Sequence, residues 1–325
     1  MRILSGIQPT GRLHLGNFFG AIRQHLRLVD EGHQCFYFVA NYHALTSLRN
    51  PAELEAATMH IACGYLALGL DPARSTFFVQ SDVPQVTELC WVLNCVCPMG
   101  LLERATSYKD KIGRGMTPNV GLFDYPVLQA ADIVAYDANL VPVGADQKQH
   151  IEMTRDMAAR FNREFNAEVL VIPEPYIVDA VAVVPGIDGQ KMSKSYDNTI
   201  EIFTDPKSTK KRCAQIVTDS TPLEAPKDPD TCNVYALLKL FATPGEAVEI
   251  ADRYRAGGYG YGHAKGRLTE LINERFADAR ARYADLEAHP DDVRDVLREG
   301  GRRAREVAEK TMDRVRKAAG LLVNH

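Results

Sequence analysis

Tryptophan is almost missing from this chain, occurring once, at Trp91, and only 8% of the 325 residues are aromatic. No apolar run approaches the roughly 20 residues that a bilayer-crossing helix needs, so no membrane partner is expected. The opening stretch "MRILSGIQPT" turns polar within a few residues and does not read as a signal peptide. A strong charge of one sign is lacking as well. The net charge is −4, which argues against a general affinity for polyanions, so any nucleic-acid partner must be met by a local basic face. The seven cysteines have no regular spacing and no CxxC, which fits a reducing cytoplasm better than a disulfide framework. "CVC" at Cys95–Cys97 reads as small apolar residues within "LCWVLNCVCPMG". No metal site built from protein thiolates, zinc or iron–sulfur, is expected.

What is present is enough for a large core. The 325 residues are 46% hydrophobic, a length and composition that suggest two domains. Strand and helix patterns alternate through the first half. Arg2–Gln8 reads as a strand, and "GNFFGAIRQHLRLV" then places Phe19, Ile22, Leu26 and Val29 on one helical face. "CFYFVA" and "STFFVQ" are further apolar runs of strand length. Asn50, Pro51 and Glu53 supply a cap, a first-turn proline and a capping-box partner for the helix between those strands. Continuous apolar strands alternating with helices predict an α/β fold, a doubly wound parallel sheet covered on both faces. From about Asp205 onward only helical patterns occur. The expected division is therefore 1–204 and an all-helical 205–325, whose last helix can pack back on the first domain.

Two loops carry composition suited to phosphate. In "SGIQPTGRLHLGN", Gly11 and Gly16 permit close backbone approach. A helix starting near Gly16 and Asn17 would aim free N–H groups at an anion, with His14 and Asn17 as further donors. In "GQKMSKSYDN", Lys191 and Lys194 stand i, i+3 among Ser193 and Ser195, a pattern able to close on a polyphosphate and neutralise a leaving group. Each loop alone also fits plainer readings, a strand-to-helix turn for the first and a charge-rich surface loop for the second.

Together, "HLGN" and "KMSKS" are similar to the paired motifs of class I aminoacyl-tRNA synthetases. "SGIQPTGRLHLGNFFGAIRQ", "LFDYPVLQAADIVAYDANLVPVGADQKQHIEMTRDMAARFN", "KMSKS" and "YGYGHAKG" resemble bacterial tryptophanyl-tRNA synthetases, in that order and over nearly the whole chain. The resemblance implies a Rossmann-like catalytic domain of the HUP type and a helical domain that binds the tRNA anticodon arm. It also implies a cytoplasmic homodimer whose partners are L-tryptophan, ATP with Mg²⁺, and tRNA(Trp). The implied reaction is attack of the tryptophan carboxylate on the α-phosphorus of ATP, then transfer of tryptophan to the terminal adenosine of the tRNA. With no covalent enzyme intermediate, alignment and charge stabilisation should dominate, and holding two reactants in line can supply about 7–11 kcal/mol.

By the same resemblance Gln8, Pro9 and Thr10 face ATP and the tryptophan carboxylate, and Gly16 and Asn17 meet the nucleotide. Gly144, Ala145 and Asp146 lie by the ribose, and Val183 offers backbone to adenine. Lys191, Met192, Ser193, Lys194 and Ser195 form the phosphate loop, with Lys109 and Lys111 as further phosphate candidates. His14, Asn17, Thr10, Lys191 and Lys194 are the implied catalytic set. Asp132 accepts the indole N–H in an apolar pocket. The indole nitrogen only donates, and a site built to pair such a hydrogen can reject an analogue lacking it by ~10⁴–10⁵. Tyr125 and Gln147 meet the α-ammonium. Val141, Val143, Gln129, Leu4 and Gly6 shape the slot, and His43 lies nearby. The chain departs from the family pattern at Gln129 (often methionine), Leu4 (often phenylalanine), and Ser107 and Tyr42 (often glutamine). Gln129 also leaves a tyrosyl enzyme open, and a nucleotidyltransferase or a non-catalytic RNA-binding paralogue shares the motifs. Basic residues between Arg294 and Lys317 fit an anticodon-arm contact or a solvated helix face, and Trp91 fits a subunit interface or core packing.

Overall fold

The computed structural model describes residues 1–105, 113, 119–144, 147–177 and 184–321. Strands Arg2–Ile7 (β1), Gln34–Val39 (β2), Thr76–Val79 (β3), Leu140–Val143 (β4) and Glu174–Ile177 (β5) form one sheet in the order β3-β2-β1-β4-β5. All pairings are parallel, with Ile3 beside both Cys35 and Leu140, and Phe36 beside Thr76. The strands read as unbroken apolar runs because both faces are covered. Successive side chains point to opposite faces: Ile3, Tyr37 and Phe77 enter one core, and Leu4, Phe36, Phe38 and Phe78 enter the other.

Behind β1, Leu15–Asn17 (α1) passes through a π-helical turn, Phe18–Ile22, into Arg23–Asp30 (α2). This corrects the regular helix expected from the apolar spacing. A π turn closes i→i+5 rings and rotates the face that follows, so Leu28 joins Val29 in the core while Leu26 is only half-buried. Asn41–Ala44 (α3) follows β2, and Pro51–Ala67 (α4) leads to β3. The Asn50 side chain caps α4 by accepting the N–H groups of Ala52 and Glu53 at 3.1 and 3.3 Å. The strand expected to include Gln80 stops at Val79, and Gln80–Asp82 is a 3-10 turn. Gln85–Val96 (α5), Met99–Glu103 (α6), Val120–Val134 (α7) and Lys148–Glu164 (α8) complete the layers around the sheet.

Helices Pro206–Ala214 (α9), Asn233–Leu238 (α10), Pro244–Ala256 (α11), Tyr261–Ala288 (α12) and Pro290–Ala318 (α13) follow the lysine loop. The last of these returns to the sheet, and its Ala304, Ala308, Met312 and Val315 share a core with Phe78 and Val86. The approach is close enough that a Cβ added at Gly300 would lie 1.8 Å from the Phe77 carbonyl oxygen. Gly300→Ala is expected to lower the unfolding free energy by about 1–3 kcal/mol or more through overpacking, outweighing the ~1 kcal/mol by which alanine favours a helix. A urea midpoint unchanged by the substitution would contradict this packing.

The basic residues of α13 are largely engaged within the protein. Arg303 donates to Pro72 O at 2.8 Å and Arg305 to Asp82 O at 2.6 Å. Arg314 reaches Asp137 at 2.5 Å, and Arg316 bridges Glu88 and Glu309. Arg298 and Arg302 pair with acids of their own helix. The core-packing reading of Trp91 is overturned, since that residue is 71% exposed.

Candidate active site

The strand order reverses at β1, which lies between β2 and β4, and sheets of this kind bind ligands beyond the carboxyl ends of the strands at that point. A cavity of about 480 Å³ opens there. Strand β1 contributes Leu4 and Gly6, and the turn behind it contributes Gln8 and Thr10. Helix α7 supplies Tyr125, Gln129 and Asp132, while β4 supplies Val141 and Val143; Asn17, His43, Gln147 and Lys194 complete the predicted set. Gly6 has a steric reason, because a Cβ there would sit 2.5 Å from the Phe38 ring.

Asp132 is buried to 1% exposure. Its carboxylate accepts Gln80 Nε2 at 2.8 Å on each oxygen, and His43 Nε2 lies 2.8 Å from Oδ2. Burial pushes the carboxyl upward, and the contacts with His43 and then Gln80 oppose that. A carboxylate offers about four lone-pair sites, so one acceptor direction remains for a donor entering the cavity. Tyr125 and His150 add polar groups nearby, with Tyr125 Oη 3.0 Å from His150 Nε2.

The two phosphate-suited loops meet. Met192 Sδ accepts the Gly16 N–H at 3.3 Å, and Lys194 Nζ donates to the Thr10 carbonyl. Gly11 has φ +58°, and a Cβ on it would lie 2.9 Å from Lys194 Cδ. Burial draws Lys194 down to about 8, with Glu201 opposing. His14 is drawn to about 4, first by burial and then by the Lys194 charge, so it is neutral at pH 7. Its backbone N–H donates to Asn17 Oδ1 at 3.1 Å.

Other sequence expectations lie off the cavity. Pro9, His14, Gly16, Gly144, Lys191, Met192, Ser193 and Ser195 do not line it. Met192 is buried under the lip, Lys191 projects outward, and the Ser193 hydroxyl oxygen caps the turn Lys194–Tyr196. Ser107, Lys109, Lys111, Ala145, Asp146 and Val183 lie outside the described residues. Sequence reasoning missed Gln80, which carries no motif, and Asn198, which organises the lysine loop. Asn198 accepts the Ser193 N–H at 2.7 Å and donates to Asp188 and the Lys191 carbonyl. Phe38, Ile133 and His150 also line the cavity; their neighbours in strand and helix are the only signal that pointed to them.

A family model described as tRNA synthetases class I (W and Y) matches residues 1–277. The chain belongs to that family. This synthetase is 53% identical to the tryptophan–tRNA ligase of Rhodopirellula baltica, over 99% of its own length and 100% of the relative's. It is 51% identical to the tryptophan–tRNA ligase of Fusobacterium nucleatum, over 99% of each chain. Among solved structures, tryptophanyl-tRNA synthetase from Campylobacter jejuni complexed with ADP and tryptophan is 47% identical, with a TM-score of 0.93 over 98% of this chain and 100% of that one. A tyrosyl-tRNA synthetase from Archaeoglobus fulgidus, 20% identical with a TM-score of 0.65, shares the fold.

Proposed function

We propose that the enzyme is a tryptophan–tRNA ligase in which Asp132 reads the indole N–H and Lys194 neutralises the departing pyrophosphate. The observation that carries this is the Asp132 carboxylate, the one buried carboxylate among the described residues lining the cavity, set beside the apolar Leu4, Ile133, Val141 and Val143, with Lys194 lining the same cavity. Full-length relatives at about half identity are tryptophan ligases, which sets aside both the tyrosyl reading suggested by Gln129 and a non-tRNA role for the fold. ATP enters as its Mg²⁺ complex, with the ion carried by phosphate oxygens and water.

In the first step a tryptophan carboxylate oxygen bonds to the α-phosphorus as the bond to pyrophosphate breaks. Tyr125 and Gln147 hold the α-ammonium, and Gln8 and Thr10 place the carboxylate. Charge builds on the leaving pyrophosphate, where the Lys194 ammonium stands ready as a fixed donor, and we assign neutral His14, buried in the turn behind β1, to support of that loop. In the second step the 2′-hydroxyl of the terminal adenosine of tRNA(Trp) attacks the acyl carbon, and AMP departs. We assign residues from 205 onward to anticodon-arm binding, apart from α13, whose Arg303, Arg305, Arg314 and Arg316 are engaged with the first domain. We assign Trp91, 71% exposed, to the surface through which two copies pair in the cytoplasm.

Amino-acid-dependent ATP–pyrophosphate exchange, run with each amino acid in turn, tests this reading. Exchange supported by tryptophan alone is the expected result. Exchange with tyrosine would overturn the substrate, and exchange with none would overturn the activity.

A further inference from the structure

Gln80 stands one residue beyond β3 and is fully buried. Its amide orientation is dictated by its surroundings. The Tyr42 N–H donates to Oε1 at 2.9 Å, so Nε2 must face Asp132, where it lies 2.8 Å from both carboxylate oxygens. A donor equidistant from the two oxygens sits on the bisector of the carboxylate and restrains its tilt as well as its position. His43, bound only to Oδ2, would tether the group while leaving that tilt free.

The elements carrying these two donors are themselves joined. Asn41 Nδ2 donates to Ser81 Oγ at 2.8 Å, and the Ser81 N–H returns to Asn41 Oδ1 at 3.1 Å. Helix α3, with His43, and the turn bearing Gln80 therefore form one cradle around Asp132. Such an arrangement exceeds what filling the core requires, because an apolar side chain at position 80 could fill space without spending a buried amide.

We propose that Gln80 is a positioning residue for amino-acid selection, setting the Asp132 carboxylate so that its remaining acceptor direction meets the indole N–H. This rests on the reading of Asp132 given above. Removing the Nε2 donor leaves the carboxylate in the pocket but lets it turn. The loss falls on ligands that present an N–H, not on those that only fill the slot.

The test compares tryptophan with β-(3-benzothienyl)alanine, which replaces the ring N–H with sulfur at nearly the same size. Exchange kinetics are measured for the wild type, Gln80→Met and Asp132→Asn. Gln80→Met is expected to lower kcat/KM for tryptophan by about tenfold or more, chiefly through KM, while leaving the analogue within about twofold and the ATP KM unchanged. Equal losses for both amino acids, or none for either, would overturn the proposal by making Gln80 a packing residue. If Asp132→Asn leaves the preference for tryptophan intact, the underlying reading of Asp132 falls. If Asp132→Asn abolishes the preference and Gln80→Met does not, only the role of Gln80 falls. Gln80→Asn, which keeps an amide but withdraws it by one methylene, provides the same comparison should the methionine variant fail to fold.

Discussion

Replacing Asp132 with asparagine is expected to lower kcat/KM for tryptophan by about 10- to 100-fold, because a hydrogen bond to a charged group contributes about 1.5–3 kcal/mol and each 1.36 kcal/mol is tenfold in rate. The chemistry of the pocket makes this loss hard to escape. The Tyr42 N–H holds Gln80 so that its Nε2 faces position 132, and His43 Nε2 occupies the other side. An asparagine offers one oxygen in place of two, so its NH₂ must face Gln80 Nε2, the indole N–H or His43, and the first two are donors that it cannot satisfy. The fold survives, since the substitution is close to isosteric and removes a buried charge. Steady-state exchange kinetics with circular dichroism as a control will decide, and an unchanged kcat/KM for tryptophan would remove Asp132 from recognition.

Lys194→Ala is expected to slow adenylate formation by about 10²–10³, the usual cost of deleting one preorganised donor to developing charge. Tryptophan affinity, measured by equilibrium dialysis, stays within twofold, because Lys194 lies at the phosphate end, against Thr10. Normal turnover in this variant would refute the loop's role. The same residue sets a pH limb. Burial disfavours the charged lysine and draws it down to about 8, so the free enzyme loses this positive charge as pH rises through that value. The kcat/KM for ATP, which reports groups in the free enzyme, should therefore decline above about pH 8. Lys194→Arg, whose guanidinium does not deprotonate in this range, should flatten the limb even if it lowers the rate. A profile that stays flat in the wild type would show that another group carries the charge.

Much of the site was legible before the fold. Tyr125, Gln129 and Asp132, named through the family resemblance, stand at i, i+4 and i+7 within "YPVLQAAD", so a helix places them on one face. Gly6, Gln8 and Thr10 follow directly from the end of an apolar strand. The lysine loop was visible as composition. What stayed hidden had no local pattern. Gln80 closes an apolar strand-like run, and nothing in "STFFVQSD" shows that its amide faces a carboxylate 52 residues ahead. Asn198 stands in a loop where asparagine is common, yet it binds the Ser193 N–H and the Lys191 carbonyl at once.

The last helix draws the same distinction on a larger scale. Its charges are periodic in sequence, and an RNA-facing stripe and a docked face look alike when only the residues of that helix are read. Contacts from Arg303, Arg305, Arg314 and Arg316 to distant segments, and the approach of Gly300 to Phe77, decide between them. The sequence by itself determined the layered α/β class and the two phosphate-suited loops, because helix and strand periodicities and side-chain chemistry are local properties, while Asp132 as the acceptor came from the family resemblance. Only the tertiary structure decided which donors hold that acceptor, which loop lysine lines the cavity and where the last helix docks. Those depend on pairs of groups far apart in the chain, and the packing that joins them leaves no mark on either segment alone.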